Sequence, residues 1–378
     1  MNKKIMIIAS LSYSLIHFRG DFIEALVKSG FKVFGVAPEI SLEVAKGLER
    51  IGGTPLEIQL DGTGLNPFKD YRTIKQLKRL IIKHEIDLVF PYTIKPVVYG
   101  SIAAAMYNIP TVSLITGLGF TFSGASTKAN LLQQVTKRLY RYALRKNELV
   151  IFQNEDDLKL FHSKRILSKK QNTAIVNGSG VNLDRYPFRI QSVEGPTVKF
   201  IIVARLIMEK GIHLFLSAAK KLKKEFPKAE FHIIGAESNT PSGIKVEQLT
   251  QMHKEGTIVF HGSSDKVPEF LERMDVFVLP TYYREGVPRS ILEALSIGMP
   301  IITTDTPGCK ETVIMKENGF LITPKSLESL VEACRYFLEN PSSVEQMGKQ
   351  SRNLAEKIFD VNLINRALVT HINRTIAK

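Results

Sequence analysis

Two glutamates stand eight residues apart in Glu285-Gly286-Val287-Pro288-Arg289-Ser290-Ile291-Leu292-Glu293. Eight residues span roughly two helical turns, so a helix and the loop leading into it can aim both carboxylates at one ligand. Gly286 leaves its backbone uncovered, and Pro288 suits a first helical position. Unpaired N–H groups at a helix start meet hydroxyl or phosphate oxygens, while carboxylates accept from paired hydroxyls. Glu293 lies in an otherwise apolar run, Ile291-Leu292-Glu293-Ala294-Leu295, where a charge needs a partner. A helix-dipole carboxylate and a surface glutamate are the plainer alternatives. Farther back, Arg205 and Lys210 follow the apolar stretch Lys199-Phe200-Ile201-Ile202-Val203-Ala204 and precede Gly211. Two cations and a helix start at one strand end would clamp a diphosphate. Alone they would read as solvated loop cations; the glutamate pair argues against that.

Short apolar runs alternate with amphipathic stretches along the whole chain. Strands are predicted at 4–9, 31–36, 55–59, 87–91, 111–115, 149–152 and 173–176, then at 198–204, 229–234, 257–261, 275–279, 300–304 and 319–322. Helices are predicted at 18–29, 68–84, 96–107, 128–146 and 155–163, and at 325–339, 342–358 and 361–377. Such alternation builds parallel sheets covered by helices. The fold class is therefore α/β, with two doubly wound, Rossmann-like domains facing a cleft and ligands at the carboxyl ends of the strands. The Pro- and Gly-containing joint near 186–196 sets the boundary. Residues 1–190 form one domain, 191–360 a second, and 361–378 a helix returning to the first. The opening apolar run is too short for a signal peptide and reads as a buried strand, and no run approaches the ~18 apolar residues that span a bilayer.

The net charge is +14, and its distribution is uneven. Residues 1–190 hold 27 Lys and Arg against 15 Asp and Glu, whereas residues 191–378 hold 24 against 22. A basic half suits one anionic partner. The helix at 128–146 concentrates this charge: Lys137, Arg138, Arg141 and Arg145 fall within about 100° of arc, opposite Leu131, Leu132, Val135, Leu139 and Tyr142. A basic stripe on an amphipathic helix suits an anionic membrane surface, with the helix at 68–84 extending it; a solvated face is the alternative. Nucleic acid is disfavoured, since the chain has neither zinc spacing nor an RNA-binding aromatic signature. A dinucleotide-dependent dehydrogenase is disfavoured because no Gly-x-Gly-x-x-Gly follows the first strand. Two cysteines, Cys309 and Cys334, make no disulfide framework and point to a reducing compartment.

Taken together, Arg205…Lys210-Gly211, Ile233-Ile234-Gly235, Glu285-x7-Glu293, Gly298-Met299-Pro300-Ile301-Ile302 and Asn177-Gly178-Ser179-Gly180-Val181-Asn182 resemble the retaining, metal-independent GT-B glycosyltransferases of family 4. The resemblance implies that Arg205 and Lys210 bind the donor diphosphate, and that Glu285 and the backbone amides of Gly286, Val287 and Pro288 hold the donor sugar. It implies that Glu293 holds the ribose and that Gly262, Ser263 and Ser264 lie along the base. It also implies front-face attack with a donor phosphate oxygen taking the acceptor proton, hence no protein base, no cofactor and no metal. The chain has no Asp-x-Asp pair to place a divalent ion on a diphosphate.

The motifs Pro91-Tyr92-Thr93-Ile94-Lys95-Pro96-Val97-Val98-Tyr99-Gly100 and Ile115-Thr116-Gly117-Leu118-Gly119-Phe120 are similar to those of bacterial enzymes that build O-antigen, capsule or glycoprotein glycans on undecaprenyl diphosphate. Among these, N-acetylgalactosaminyl and related hexosaminyl transferases are nearest. The implied partners are a UDP-sugar, a lipid-linked saccharide and the inner face of the bacterial inner membrane, with His17, Arg19, Lys95 and Thr116 toward the acceptor. The chain departs from many relatives in two places. Ser10-Leu11-Ser12-Tyr13 stands where they carry Gly-Gly, and Thr116-Gly117 where they carry a histidine. For His17 and Arg19, a helix cap and a solvated cation remain alternatives. A GDP-mannose transferase of the same fold, or a nucleotide-sugar epimerase, are the competing activities.

Overall fold

The computed structural model describes residues 2–61, 66–119, 122, 127–190, 197–238 and 240–377. Phe120 and the 191–196 part of the expected joint lie outside them, as does the side chain of Leu131. The chain divides into two compact units, Met1–Gly180 with Val361–Lys378, and Val181–Asp360.

In the first unit the order is β1 (Lys4–Ile8), α1 (Tyr13–His17), α2 (Gly20–Lys28), β2 (Lys32–Ala37), α3 (Leu42–Arg50), β3 (Gly53–Glu57), α4 (Pro67–His84), β4 (Leu88–Pro91) and α5 (Ile94–Ala105). Then follow β5 (Val112–Ile115), α6 (Thr127–Leu144), β6 (Leu149–Phe152), α7 (Glu155–Ser163) and β7 (Thr173–Ile175). The parallel sheet runs β3-β2-β1-β4, and β5-β6-β7 continues it through the bridges Val89–Thr111 and Tyr92–Leu114. Alternate side chains of β1 enter two cores, Met6 and Ile8 on one face and Ile5 and Ile7 on the other. Burial on both faces explains why the strands read as unbroken apolar runs.

The second unit contains β8 (Lys199–Val203), α8 (Ile212–Leu222), β9 (Glu230–Ile234), α9 (Val246–Lys254), β10 (Val259–Phe260), α10 (Val267–Leu271), β11 (Val276–Leu279), α11 (Arg289–Ile297), β12 (Ile301–Thr304), β13 (Gly319–Ile322), α12 (Leu327–Glu339) and α13 (Ser343–Leu354). Its parallel sheet runs β10-β9-β8-β11-β12-β13. After it, α14 (Val361–Ile376) returns to the first unit, where Ile364, Leu368 and Ile372 share a core with Phe22 and Leu26 of α2.

Several boundaries differ from the sequence-based expectation. The second unit begins at Val181 rather than 191, because the 181–190 segment is bonded into it. Val181 N–H donates to the Phe359 carbonyl (2.8 Å), Ser296 Oγ to the Tyr186 carbonyl (2.6 Å) and Arg189 N–H to the Ile297 carbonyl (2.9 Å). The helix expected at 18–29 is α2, which starts at Gly20 after Arg19 in a non-helical conformation, and a short helix that was not expected, α1, precedes it. The helix expected at 342–358 changes to π geometry over Ala355–Phe359. Pro288 is the N-cap of α11, not its first residue.

Candidate active site

In the second unit β8 lies between β9 and β11, where the strand order reverses; ligands bind outside the carboxyl ends of strands at such a point. The loop after β8 carries Arg205, a 3-10 turn Met208–Lys210, and Gly211. Gly211 has φ 77°, and a Cβ there would stand 2.2 Å from the Pro280 carbonyl oxygen, so only glycine lets this loop touch the loop after β11. One carbonyl then joins the two loops. Glu209 O accepts from Thr281 Oγ1 (2.9 Å), Tyr282 N–H (2.9 Å) and Tyr283 N–H (3.2 Å). Lys210 is thereby fixed beside the segment that leads to Glu285.

Lys210 Nζ and a Glu285 carboxylate oxygen form an ion pair, with side chains 13% and 15% exposed. Arg205 is exposed. The Arg205 guanidinium carbon and Lys210 Nζ lie 5.9 and 5.7 Å from the centroid of the same Tyr283 ring, within cation–π range. Among the described residues no carboxylate lies within ion-pair reach of Arg205. The structure thus brings Arg205, Lys210 and Glu285 around Tyr283. The loop after β12 backs the site: a Cβ on Gly308 (φ 86°) would stand 2.0 Å from the Gly286 carbonyl oxygen and 2.9 Å from that of Glu285. Next to it, burial and then the Glu285 charge push the Cys309 thiol up to about 12, which leaves it un-ionised at neutral pH.

Glu293 engages a different set. Arg289 Nε donates to its carboxylate at 2.9 Å, one helical turn away on α11. The buried Tyr186 phenol lies near it, and burial followed by the Glu293 charge drives that phenol upward. These are the partners its apolar surroundings demand. Gly286, Val287 and Pro288 are buried. Pro288 has no N–H to offer, and its carbonyl accepts from Ile291 (3.1 Å) and Leu292 (3.3 Å). The amides expected to serve a sugar therefore reduce to those of Gly286 and Val287. Gly262, Ser263 and Ser264 follow β10, and the Gly262 carbonyl accepts from Gly235 N–H (2.9 Å) after β9. Ser264 Oγ accepts from Lys266 N–H at 3.1 Å.

In the first unit the strand order reverses between β1 and β4, and Thr93 Oγ1 donates there to Ser10 Oγ at 2.9 Å. Thr93 has φ 69°, a strained conformation for a β-branched residue. Lys95 Nζ lies 3.3 Å from Asp70 Oδ1, and burial followed by the neighbouring Asp70 drives the Tyr99 phenol upward. His17 ends α1 rather than capping it and stacks on Tyr13 (centroids 3.6 Å). Arg19 is buried, its guanidinium 5.3 Å from the Tyr92 ring centroid, and Tyr92 OH bonds Ser14 Oγ (2.7 Å). Arg19 is thus not a solvated cation. Thr116 follows β5, half-buried.

The basic helix also differs from expectation. Arg141 Nε donates to the Arg165 carbonyl (2.7 Å) and Nη2 to that of Lys164 (3.3 Å), neutralising the carboxyl end of α7. Lys137 Nζ donates to Gln134 Oε1 at 3.3 Å, and the Arg145 guanidinium lies 4.9 Å from the Tyr142 ring centroid. Of these four cations, only Arg138 presents its charge to solvent with no such contact. The buried side of α6 is Thr136, Tyr140, Ala143 and Leu144, while Tyr142 faces outward. Small and polar residues on the inner line hid it from a hydrophobic ranking.

Sequence reasoning missed Tyr283, Thr281, Gly308, Arg289 and Tyr186. Arg289 carried a signal, since it stands four residues before Glu293 on one helix. The others meet the site only through strand order. Among the described residues no group of three or more His, Cys, Asp or Glu is placed to hold a metal ion.

Comparison with known proteins agrees with this architecture. Residues 187–354 match the family model "Glycosyl transferases group 1", and residues 4–154 match "Glycosyl transferase 4-like". A Campylobacter jejuni protein, N,N'-diacetylbacillosaminyl-diphospho-undecaprenol alpha-1,3-N-acetylgalactosaminyltransferase, is 26% identical over 377 residues, with 96% of each chain covered. UDP-Gal:alpha-D-GlcNAc-diphosphoundecaprenol alpha-1,3-galactosyltransferase of Escherichia coli is 27% identical over 308 residues, covering 79% of this chain and 77% of its own. A solved structure of sucrose-phosphate synthase from Thermosynechococcus elongatus is similar with a TM-score of 0.83 at 18% identity, covering 100% of both chains.

Proposed function

We propose that this chain, which belongs to the GT-B glycosyltransferases of the group 1 and 4-like type, moves an N-acetylhexosamine from a UDP-sugar to an undecaprenyl-diphosphate-linked saccharide. N-acetylgalactosamine is the first donor to try. The observation that carries the proposal is the cluster of Arg205, Lys210 and Glu285 at the carboxyl ends of β8 and β11. The two relatives above, each named for a diphosphoundecaprenol acceptor, support the acceptor class.

The chemistry follows from where charge develops. Cleaving the bond between the sugar C1 and the donor phosphate oxygen leaves negative charge on the diphosphate. Arg205 and Lys210, already in place, stabilise that charge without reorganising. Glu285, with the amides of Gly286 and Val287, takes the donor-sugar hydroxyls, and Glu293 takes the ribose. The acceptor hydroxyl attacks C1 on the face the diphosphate leaves, and its proton passes to the departing phosphate oxygen. The anomeric configuration is retained and no protein base is needed. Fixed cations do the work that a divalent ion does in other transferases, so the reaction runs without metal.

His17, Lys95 and Thr116, on the first unit, are assigned to the acceptor side. The acceptor is a lipid, so the chain works peripherally at the inner face of a bacterial inner membrane. No helix among the described residues is long and apolar enough to cross one.

The test is UDP release by the purified chain with a panel of UDP- and GDP-sugars and an undecaprenyl-diphosphate saccharide, in excess EDTA. Acceptor-dependent release from UDP-N-acetylhexosamines is the expected result. Release only from GDP-sugars overturns the donor, and strict dependence on added Mg²⁺ overturns the metal-free mechanism.

A further inference from the structure

The longest helix of the basic half besides α6 has two faces of opposite character. On one side of α4, Thr73, Leu77 and Ile81 are buried. At about 100° per residue, Phe68, Tyr71, Arg72, Lys75, Arg79 and Ile82 share an arc of roughly 100° on the other side. All six are exposed, Phe68 at 84%, Tyr71 at 66% and Ile82 at 55%. Met106 and Tyr107, just beyond α5, add to this surface, because Lys78 Nζ lies 5.6 Å from the Tyr107 ring centroid. A single exposed apolar side chain is ordinary; a group of them interleaved with cations marks an interaction surface.

The charge on this face is uncompensated. The one acid on α4, Asp70, is taken by Lys95 (3.3 Å), and Lys69 is taken by Asp61 (2.9 Å). Among the described residues no carboxylate lies within ion-pair reach of Arg72, Lys75, Lys78, Arg79 or Lys83. Rings at one end and bare cations along the rest match an anionic bilayer surface. Aromatic side chains settle at headgroup depth, and cations meet lipid phosphates. The face is also in the right place. The Asp70–Lys95 pair ties the start of α4 to the start of α5, at the carboxyl edge of the first unit's sheet, where Ser10 and Thr93 meet. On α6, by contrast, Arg141 and Lys137 are engaged internally and Arg145 covers Tyr142.

We propose that α4 is the element by which the chain docks on an anionic lipid bilayer, with Phe68 and Tyr71 entering the headgroup layer and Arg72, Lys75 and Arg79 contacting lipid phosphates. This rests on the proposed lipid-linked acceptor and names the surface that meets its membrane.

The chain contains no tryptophan, so Phe68→Trp in the full chain gives a sole reporter. It is mixed with vesicles of phosphatidylcholine alone and of phosphatidylcholine with phosphatidylglycerol. The expected result is a blue shift with the anionic vesicles that weakens as salt rises, and no shift for Tyr142→Trp. Adding Arg72→Gln, Lys75→Gln and Arg79→Gln to the Phe68→Trp chain is expected to weaken partitioning about fivefold per cation. No shift at Phe68→Trp, or a shift at Tyr142→Trp alone, overturns the proposal. A shift that grows with protein concentration without vesicles also overturns it and puts a second copy on this face. Transfer to a water-soluble acceptor analogue separates the two proposals. Its presence without a vesicle shift removes the docking element alone, and its absence in the wild type removes the proposed function.

Discussion

Lys210→Ala tests the centre of the proposed mechanism. Lys210 is a preorganised cation aimed at the leaving diphosphate, and removing one donor of that kind lowers kcat by about 10²–10³, or ~2.7–4 kcal/mol of transition-state stabilisation. Arg205 remains over Tyr283, so the donor KM is expected to change far less than kcat. The substitution also removes the ion-pair partner that Lys210 gives Glu285, whose side chain is 15% exposed. Breaking a fully buried pair costs about 3–5 kcal/mol; with this much solvent access the loss is set at ~1–2 kcal/mol. At about 2–4 °C per kcal/mol, Tm should fall by roughly 2–8 °C. The assay pairs UDP release at saturating donor with a thermal melt of the same preparation. Adding Glu285→Ala to Lys210→Ala should recover part of the melt, since the carboxylate that lost its lysine is gone, but not the transfer. A kcat for Lys210→Ala within tenfold of wild type would refute the electrostatic role. Recovery of transfer in the double variant would show that Lys210 serves only to neutralise Glu285.

Other perturbations follow from the same geometry. Gly308→Ala places a Cβ against the Gly286 and Glu285 carbonyls at φ 86°, and strain of that kind costs about 1–3 kcal/mol; transfer should drop at least tenfold with the fold retained, and unchanged kinetics would detach this loop from the site. Tyr186→Phe removes the buried hydroxyl that neighbours Glu293, a polar neighbour worth about 1–3 kcal/mol to a desolvated carboxylate. The donor KM should rise about tenfold or more with kcat held, whereas a fall in kcat alone would contradict ribose positioning. Burial raises the Asp275 carboxyl from 3.8 to about 6, so the folded chain binds this proton more tightly than the unfolded one. The associated stability is present below about pH 4 and lost as pH rises to about 6, on the order of 3 kcal/mol. Asp275→Asn, which keeps an acceptor for Lys199 N–H, should therefore gain on wild type across that window. A constant difference between the two melts from about pH 4 to pH 7 would refute the assignment.

Most strands were legible because they are buried on both faces and read as short apolar runs, although β3, β7 and β10 are largely half-buried. The shorter helices were harder. α1 has five residues, less than two turns, and no periodicity can establish itself over that length. α3 buries only Val44 and Leu48, with Gly47 inside it, so its pattern was too sparse to separate from a loop. On α6 the expected apolar face included Leu139 and Tyr142; Leu139 does pack on the core, but Tyr140 and Ala143 are buried where Tyr142 is not. Two tyrosines two residues apart are equivalent to a hydrophobic scale, and only the neighbouring Phe161, 5.2 Å from the Tyr140 ring, decides between them.

The charged members of the candidate site stood out because each is costly where it lies: Lys210 and Glu285 at the end of buried strands, Glu293 inside an apolar helix. What holds them was not legible, because it acts through main-chain atoms and across strand order. The Glu209 carbonyl that collects three donors carries no side-chain signature. Tyr283 becomes a shared platform for Arg205 and Lys210 only because β11 pairs directly with β8, over an intervening α8, β9, α9, β10 and α10. The same strand order brings Ser10 and Thr93 together in the first unit. Each unit thus gathers its polar loops where its sheet reverses, and the chain need only place a few charges after the right strands. In the resting state Lys210 is held by Glu285. In the proposed mechanism this contact keeps the lysine in position beside the donor diphosphate while Glu285 faces the sugar, so a single ion pair orders both halves of the proposed donor site.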